Sequence, residues 1–228
     1  MDKWLGFGVL FFLFSFFTLQ GQHEIQFLNG FKQLAAWSKE NNQTQLLFLS
    51  RNSLEKKVNG NAFWNDWEPA FLVSQKGEVF AVTARHRLLD DELQIQEQDK
   101  IKAIYPNLIK GIAFEDKALM VATTQGDDGG LYYGYYQLLS EGKICLLKKI
   151  TLEQKVNHRE TVQIGKKTIK FYVKQANDDL APFSCTMNQL LQIMVNHKEA
   201  VKTFIEQNSL SVSKEDDLKM VFDFYNNL

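Results

Sequence analysis

The sequence has few of the residues and motifs that build catalytic and metal sites. Its four histidines are scattered, and no two of them have the H-x-x-x-H spacing of a zinc site. The sequence has no G-x-S-x-G motif and no glycine-rich phosphate loop. Together these absences argue against familiar hydrolases and nucleotide-dependent enzymes, and we predict neither a cofactor nor a metal site. The histidines are His23, His86, His158 and His197.

The charge of the chain is close to balanced. Lys and Arg number 26, Asp and Glu number 27, and the formal net charge is −1. A nucleic-acid-binding protein would show a basic patch or stripe, so no nucleic-acid partner is expected. No second long apolar run follows the N-terminal one, so the mature protein is expected to be soluble or peripheral, without a transmembrane span.

The N-terminus has the pattern of a signal peptide. Lys3 is followed by an uncharged, Phe-rich run over Trp4–Phe17. This run is short for a membrane span, which needs about 20 apolar residues, and it suits the apolar region of a signal peptide. We therefore predict a signal peptide over residues 1–21, cleaved near Gly21, and a periplasmic or secreted protein. An uncleaved N-terminal anchor is the alternative.

The only two cysteines are Cys145 and Cys185. An exported chain can keep a disulfide, so these two could pair. Spacing alone does not show that they meet, and two buried free thiols are the alternative.

Periodicity divides the rest of the chain into an N-terminal helical segment, residues 22–60, and a single α+β domain, residues 61–228. One apolar face predicts a helix over Phe27–Lys39. Residues 68–174 alternate with period two, and short strands without intervening helices predict an antiparallel β-meander. Helical period returns over residues 186–226. The predicted fold class is therefore α+β, an antiparallel β-meander sheet with an N-terminal helix and two or three C-terminal helices.

Local signals mark four connections and helix starts. Hairpins are predicted around Ser140–Lys143 and around Gly165–Lys167, where Gly supplies the backbone freedom that tight turns need. Thr186–Gln189 has the form of a capping box. Ser213 is predicted to cap the last helix, whose first turn is acidic.

The segment Arg87-Leu88-Leu89-Asp90-Asp91-Glu92-Leu93-Gln94, like several other blocks of this sequence, resembles part of a family of uncharacterised secreted proteins of Bacteroidetes. The family's Arg-Tyr-Asn-x-Tyr-x-Asp-Glu-Met-Glu signature corresponds to Arg87–Gln94, with Leu88-Leu89 in place of Tyr-Asn and Gln94 in place of an acidic residue. The resemblance covers most of Gly60–Asn226, and it implies an envelope or secreted location and a β-rich body, without an assigned activity. Its other blocks are Gly60–Ala70, Gly134–Lys143, Leu146–Lys149, Lys202–Asn208 and Tyr225-Asn226.

The densest charged cluster is the candidate binding surface. Alternation places Arg85 and Arg87 on one strand face and His86 on the other, with an acidic turn after them. Paired carboxylates could hold a cation, catalyse proton transfer or recognise a partner. Solvated charges with one or two cross-strand ion pairs are the simpler interpretation. The acidic residues are Asp90, Asp91 and Glu92.

Tyrosines are dense on the strand predicted over Leu131–Leu139. Tyr133 and Tyr135 are candidate binding residues, because one strand face could line a groove for a lipid chain, a glycan or a peptide. Packing under the C-terminal helices is the simpler explanation.

Three functional hypotheses follow. The first is an exported, non-enzymatic module that binds an envelope protein. The second is a periplasmic carrier of a lipid or other apolar ligand, enclosed by a curved sheet. The third is a hydrolase that uses Asp90, Asp91 or Glu92.

Overall fold

The computed structural model describes residues 26–28, 30–38, 46, 48–53, 58–59, 61–125, 129–156, 162–175 and 179–228. The predicted signal peptide and its cleavage site lie outside the described residues. No helix in the described part of the chain is long and apolar enough to cross a membrane.

The described part of the chain has an α+β fold, built on one sheet in which eleven strands form a continuous antiparallel path. The strand order is β1-β6-β5-β4-β3-β7-β8-β9-β10-β11-β12, and the two-residue β2 pairs in parallel with β11. The strands are β1 Ser50–Asn52, β2 Val58–Asn59, β3 Glu68–Ser74, β4 Val79–Arg87, β5 Glu92–Glu97, β6 Lys100–Ile104, β7 Ile109–Ala113, β8 Ala118–Gln125, β9 Leu131–Ser140, β10 Ile144–Val156, β11 Val162–Gln175 and β12 Ala181–Phe183.

Among the described residues, four α-helices accompany the sheet, one before the strands and three after them. They are α1 Phe31–Ser38, α2 Met187–Ile193, α3 Lys198–Gln207 and α4 Glu215–Asn226. The predicted N-terminal helix begins at Phe31, four residues later than expected. The capping box is confirmed in part: Gln189 N–H donates to Thr186 Oγ1 over 3.4 Å, while the Gln189 side-chain oxygen accepts from Ser184 N–H over 2.7 Å.

Two local predictions are wrong. Ser213 is not the N-cap of α4; Lys214 occupies that position without a side-chain cap bond. Gly165–Lys167 is not a turn, because β11 continues through it, with a bulge, and pairs with β10 as far as Val162. The hairpin around Ser140–Lys143 is confirmed, since β9 and β10 flank it.

Alternate residues of the central strands feed two separate cores. On one side, here called the inner face, Leu72, Ile112 and Leu119 belong to a cluster that also contains Phe80 and Tyr135. On the outer face, the neighbouring residues Val73 and Ala113 pack under α1. These strands are apolar on both faces because alternate residues pack into two different buried clusters.

Helix α1 lies against the sheet. Leu34 is 1 % exposed, and the Phe31 ring contacts that of Phe71 at a tilt of 59°, with 4.7 Å between ring centroids. The Glu141 carboxylate accepts from the N–H groups of Phe27 and Leu28 over 2.9–3.0 Å, which fixes the chain just before α1. The helix is therefore a packed part of the described structure.

The C-terminal helices cover a third core. Leu190 of α2, Val201 of α3 and Val221 of α4 are fully buried against Leu146 and Val173 of the sheet. Burying side chains of this size stabilises a fold by about 1.5–3 kcal/mol each.

Candidate functional site

The site is the turn between β4 and β5, which carries the predicted acidic cluster. Strand β5 lies five places from β9 in the sheet, yet the turn contacts β9 and β10, so the sheet must curl back on itself. Asp91 sits at the tip with φ +51°, a left-handed conformation that Asp tolerates better than most residues. In this conformation the Asp91 carboxylate points towards β9.

Three donors surround the Asp91 carboxylate. Nε2 of His86 lies 2.9 Å from Oδ1, the backbone N–H of Tyr135 donates to Oδ2 over 3.1 Å, and the ammonium of Lys149 donates to Oδ2. An ionised carboxylate only accepts hydrogen bonds, so Nε2 of His86 carries the proton. Asp91 thus joins β4, β9 and β10 through one side chain.

Lys149 binds the second backbone group of Tyr135. Its ammonium also donates to the carbonyl oxygen of Tyr135 over 2.9 Å. Both backbone groups of Tyr135 are therefore bonded to the Asp91–Lys149 ion pair. In a regular sheet, a residue of a neighbouring strand would supply those two bonds.

The ion pair lies where the sheet splits. Strands β9 and β10 pair only at Gln137, Leu138 and Ser140, and β10 continues beyond Lys148 with β11 alone. The β4–β5 turn enters the gap, where the side-chain amide of Gln154 donates to the carbonyl of Leu89. Side chains of the turn thus bridge two strands that have separated.

Burial and charge act in opposite directions on this pair. Burial alone would raise the pKa of Asp91, but the hydrogen bond from His86 and the charge of Lys149 outweigh it and hold that pKa below its usual value. The pKa of Lys149 is lowered, because its burial outweighs the single carboxylate beside it. The two pKa shifts have different causes. The carboxylate of Asp91 has three hydrogen-bond donors around it, whereas the ammonium of Lys149 has one anion beside it.

A second network holds the remaining charged candidates. Nε of Arg87 donates to Asp90 over 2.7 Å and its Nη2 donates to Glu92 over 2.8 Å. Glu92 also accepts from Arg51 over 2.8 Å and from Ser53 over 2.5 Å. Arg87 and Glu92 are both buried, so the two are mutually neutralised inside the protein rather than displayed on its surface.

Arg85 is held by aromatic rings. Its guanidinium carbon lies 3.9 Å from the centre of the Phe63 ring and 4.2 Å from that of Trp67, and its Nε donates to Gln94 over 2.8 Å. Stacking on two rings together with a hydrogen bond fixes a guanidinium in one orientation. Arg85 is half-buried between these partners.

The two candidate tyrosines have different environments. Tyr135 is 2 % exposed, and its hydroxyl donates to the carbonyl of Ile104 across the inner face over 3.2 Å. Burial and then the charges of Asp91 and Glu92 hold its pKa well above the usual value, so the phenol stays protonated. Tyr133 is 48 % exposed, and it alone of the two can meet a partner in solution.

Each of the three acidic residues accepts a hydrogen bond from a cationic side chain: Asp90 from Arg87, Asp91 from Lys149, and Glu92 from Arg51 and Arg87. The buried His86–Asp91 pair resembles the base and orienting residue of a triad, but the cavity beside it has no Ser, Thr or Cys in its described lining. No group of three potential metal ligands occurs among the described residues.

Sequence reasoning missed the partners that give the site its structure. Lys149, Arg51 and Ser53 are distant in sequence, and nothing local connects them to the acidic turn. Gln94 could have been found, because it lies two residues beyond Glu92 and therefore on the same strand face.

Neither Cys145 nor Cys185 forms a disulfide in the described part of the chain. Cys145 packs with the outer-face cluster under α1, whereas Cys185 packs with the C-terminal helices. The two cysteines thus belong to different clusters and form no disulfide in the structure.

Comparisons of this chain with protein-family models, with curated proteins and with solved structures find no match.

Proposed function

We propose that this protein is an exported, non-enzymatic module that binds an envelope protein through the open edge of β9. The observation that supports this proposal is the separation of β9 from β10. Over Leu131–Tyr136, β9 pairs with β8 on one side, and no described strand pairs with it on the other. The term "open edge" is used below for residues 131–133, which lie beyond the Asp91–Lys149 ion pair.

The open edge presents backbone groups in a regular pattern. Tyr135 directs its N–H and C=O away from β8, because both are bonded to the ion pair. Alternation along an antiparallel strand then places the same groups of Tyr133 and Leu131 on that side. A row of this kind is complemented by another polypeptide backbone, and strand addition is a common mode of peptide recognition.

The side chains of the open edge are apolar or aromatic. Leu131, Tyr132 and Tyr133 are 69 %, 53 % and 48 % exposed. Tyrosine is enriched at protein interfaces because its ring buries a large area while its hydroxyl tolerates water. An apolar segment of a partner protein is therefore the occupant that this edge fits best.

Other edges of the sheet are protected in the usual ways. The short strand β12 carries Pro182, and the exposed part of β11 carries Lys166, Lys167 and Lys170. Proline and lysine are typical devices against unwanted strand pairing. The open edge of β9 has no charged or proline residue, and this contrast supports a binding role.

A carrier of apolar ligands is less well supported. The inner face is packed, and the cavity beside His86 measures about 10 Å³, enough for about one water molecule. Pockets for small ligands are usually about 300–1,000 Å³. The larger grooves of about 370 and 510 Å³ lie elsewhere, one beside Phe48 and Leu108 and the other beside Asp116 and Asn226.

Export is supported by the uncharged N-terminal run and by the resemblance to secreted proteins. Its test is the intact mass of protein recovered from the native envelope. A mass that corresponds to a chain beginning near Gln22 is expected, whereas a full-length chain in the cytoplasmic fraction would contradict export.

The binding test separates the backbone of the open edge from its side chains. Tyr133→Pro removes an N–H that points away from β8, a position where an edge strand accepts proline. Tyr133→Thr removes the same ring, keeps the N–H and has good strand propensity. The two variants therefore differ mainly in the ability to pair with an added strand.

Tagged mature protein would be purified gently from its own envelope and weighed by native mass spectrometry. The wild type is expected to carry a partner protein, Tyr133→Thr to retain part of it and Tyr133→Pro to lose it. Equal recovery of the partner with Tyr133→Pro would refute the open edge. An adduct of lipid mass would instead favour the carrier.

A further inference from the structure

Two buried acceptor atoms lack a hydrogen-bond partner within the described part of the chain, and both belong to residues that line one cavity. They are Nδ1 of His86 and Oε1 of Gln137. His86 is only 3 % exposed, so bulk water does not reach its ring. Buried polar atoms in folded proteins are nearly always paired with protein or with ordered water, so this coincidence requires an explanation.

The cavity has the size of one water molecule. It measures about 10 Å³ and lies between β4, β9 and β10, with Trp64 and Tyr135 among its walls. A cavity needs about 10–15 Å³ of this space, together with two to four polar partners, to hold a water. Both conditions are met here.

The hydrogen-bonding roles match those of water. In a neutral imidazole, a proton on Nε2 for the Asp91 carboxylate makes Nδ1 of His86 an acceptor. The side-chain oxygen of Gln137 is also an acceptor. A water molecule has two O–H donors, one for each, while no donor in the described ranges bonds either atom.

A donor for the water oxygen is also at hand. Lys148 lines the same cavity, and its ammonium gives one proton to Glu215 over 2.5 Å. An ammonium has three donors, so two remain for other partners. Two acceptors and one donor around the cavity form the kind of environment that holds an internal water in place.

We infer that one internal water molecule binds in this cavity, donates to Nδ1 of His86 and Oε1 of Gln137, and accepts from Lys148. The water holds His86 in the tautomer that donates to Asp91, so it is a structural part of the joint between the turn and the split sheet. This inference does not depend on the proposed binding of a partner.

Counting internal waters tests the inference directly. Oxygen-17 magnetic relaxation dispersion counts the long-lived waters inside a protein in solution. Gln137→Met keeps the length of the side chain and removes the acceptor, so we expect the count to fall by one. Gln163→Met, at an exposed position of β11, is the matched control and should leave the count unchanged.

The histidine itself supplies a second readout. In nitrogen-15 spectra, Nδ1 of His86 should have the shift of a hydrogen-bonded basic nitrogen, and Gln137→Met should move it towards the value of a free one. A crystal structure of the wild type should place one water at about 2.7–3.2 Å from both acceptors. A cavity without water density, or a protonated Nδ1 bonded directly to Gln137, would overturn the inference.

Discussion

The Asp91–Lys149 ion pair makes the most specific prediction about stability. Replacing Asp91 by Asn keeps the size of the side chain and tolerates the positive φ, so it changes mainly the charge. The change leaves the ammonium of Lys149 buried without its counter-ion. The substitution therefore tests how much the charge of Asp91 contributes to stability.

The expected loss follows from how deeply the pair is buried. The side chains of Asp91 and Lys149 are 30 % and 15 % exposed. Removing one partner of a fully buried pair costs about 3–5 kcal/mol, and breaking an exposed pair costs about 0–1 kcal/mol. The geometry lies nearer the buried limit, so we expect Asp91→Asn to lower the free energy of unfolding by about 2–4 kcal/mol.

Urea unfolding at pH 7, followed by tryptophan fluorescence, measures this loss. A loss of about 3 kcal/mol corresponds to a fall in Tm of about 6–12 °C for a chain of this size. The matched control is Asp223→Asn, which breaks the exposed pair with Lys219, where the side chains are 40 % and 48 % exposed. That variant should lose less than about 0.5 kcal/mol.

A double substitution distinguishes an ion pair from two independent contacts. Lys149→Met removes the stranded cation, so the pair Asp91→Asn and Lys149→Met should recover about 1–3 kcal/mol relative to the sum of the single losses. Additive losses, or a loss for Asp91→Asn no larger than for Asp223→Asn, would show that side chains do not close the sheet at this point.

The same carboxylate gives the pH dependence a sign. The folded-state pKa of Asp91 lies below its usual 3.8, so the unfolded chain binds the proton more readily. The contribution of Asp91 is fully present above the unfolded pKa and is lost as pH falls through the folded one. The stability difference between wild type and Asp91→Asn should therefore be constant near neutrality and shrink below about pH 4.

Three further substitutions test separate parts of the fold by the same urea assay. Thr186→Ala removes the oxygen that caps α2 and should cost about 1 kcal/mol, whereas Thr203→Ala on the exposed face of α3 should not destabilise. Leu34→Ala leaves a cavity between α1 and the sheet and should cost about 2–5 kcal/mol; a negligible loss would mean that α1 does not pack there in solution. Gly134→Ala places a Cβ 2.8 Å from Nζ of Lys149 and 3.1 Å from Oδ2 of Asp91, so it should cost about 1–3 kcal/mol, and less in the Asp91→Asn background.

Local sequence signals predicted the elements whose causes are local. The turn at Ser140–Lys143 contains Gly142, whose φ of +155° favours glycine, and the acidic first turn of α4 lies where the helix dipole favours it. The alternation of Arg85, His86 and Arg87 between faces was also predictable. The register of the β4–β5 hairpin places Arg87 directly opposite Glu92.

The error at Gly165 has an equally physical cause. A glycine within a strand can mark a bulge as well as a turn. Leu152 pairs with Lys167 and Gln154 pairs with Ile164, so two residues of β11, Gly165 and Lys166, oppose one residue of β10. The long β10–β11 ladder continues past this bulge, and tertiary pairing overrides the local turn signal.

The centre of the site could not be predicted from sequence. Asp91 meets Tyr135 and Lys149, which lie 44 and 58 residues further along the chain. Their meeting depends on the curl of the sheet and on the point where β9 and β10 separate. No local pattern encodes either feature, so the sequence indicated a charged surface where the structure has a buried joint.

The charged turn and the open edge are parts of one arrangement. A neighbouring strand would satisfy every outward backbone group of β9, whereas the Asp91–Lys149 pair satisfies those of Tyr135 alone. Closing the sheet with two side chains therefore fixes the strand at one point and leaves the outward backbone groups of Leu131 and Tyr133 without a described strand beside them. On this view the charged turn holds the binding edge in place without touching the partner. Changes at Asp91 should then weaken binding only as far as they weaken the fold, while Tyr133→Pro should weaken binding in a protein that is still folded.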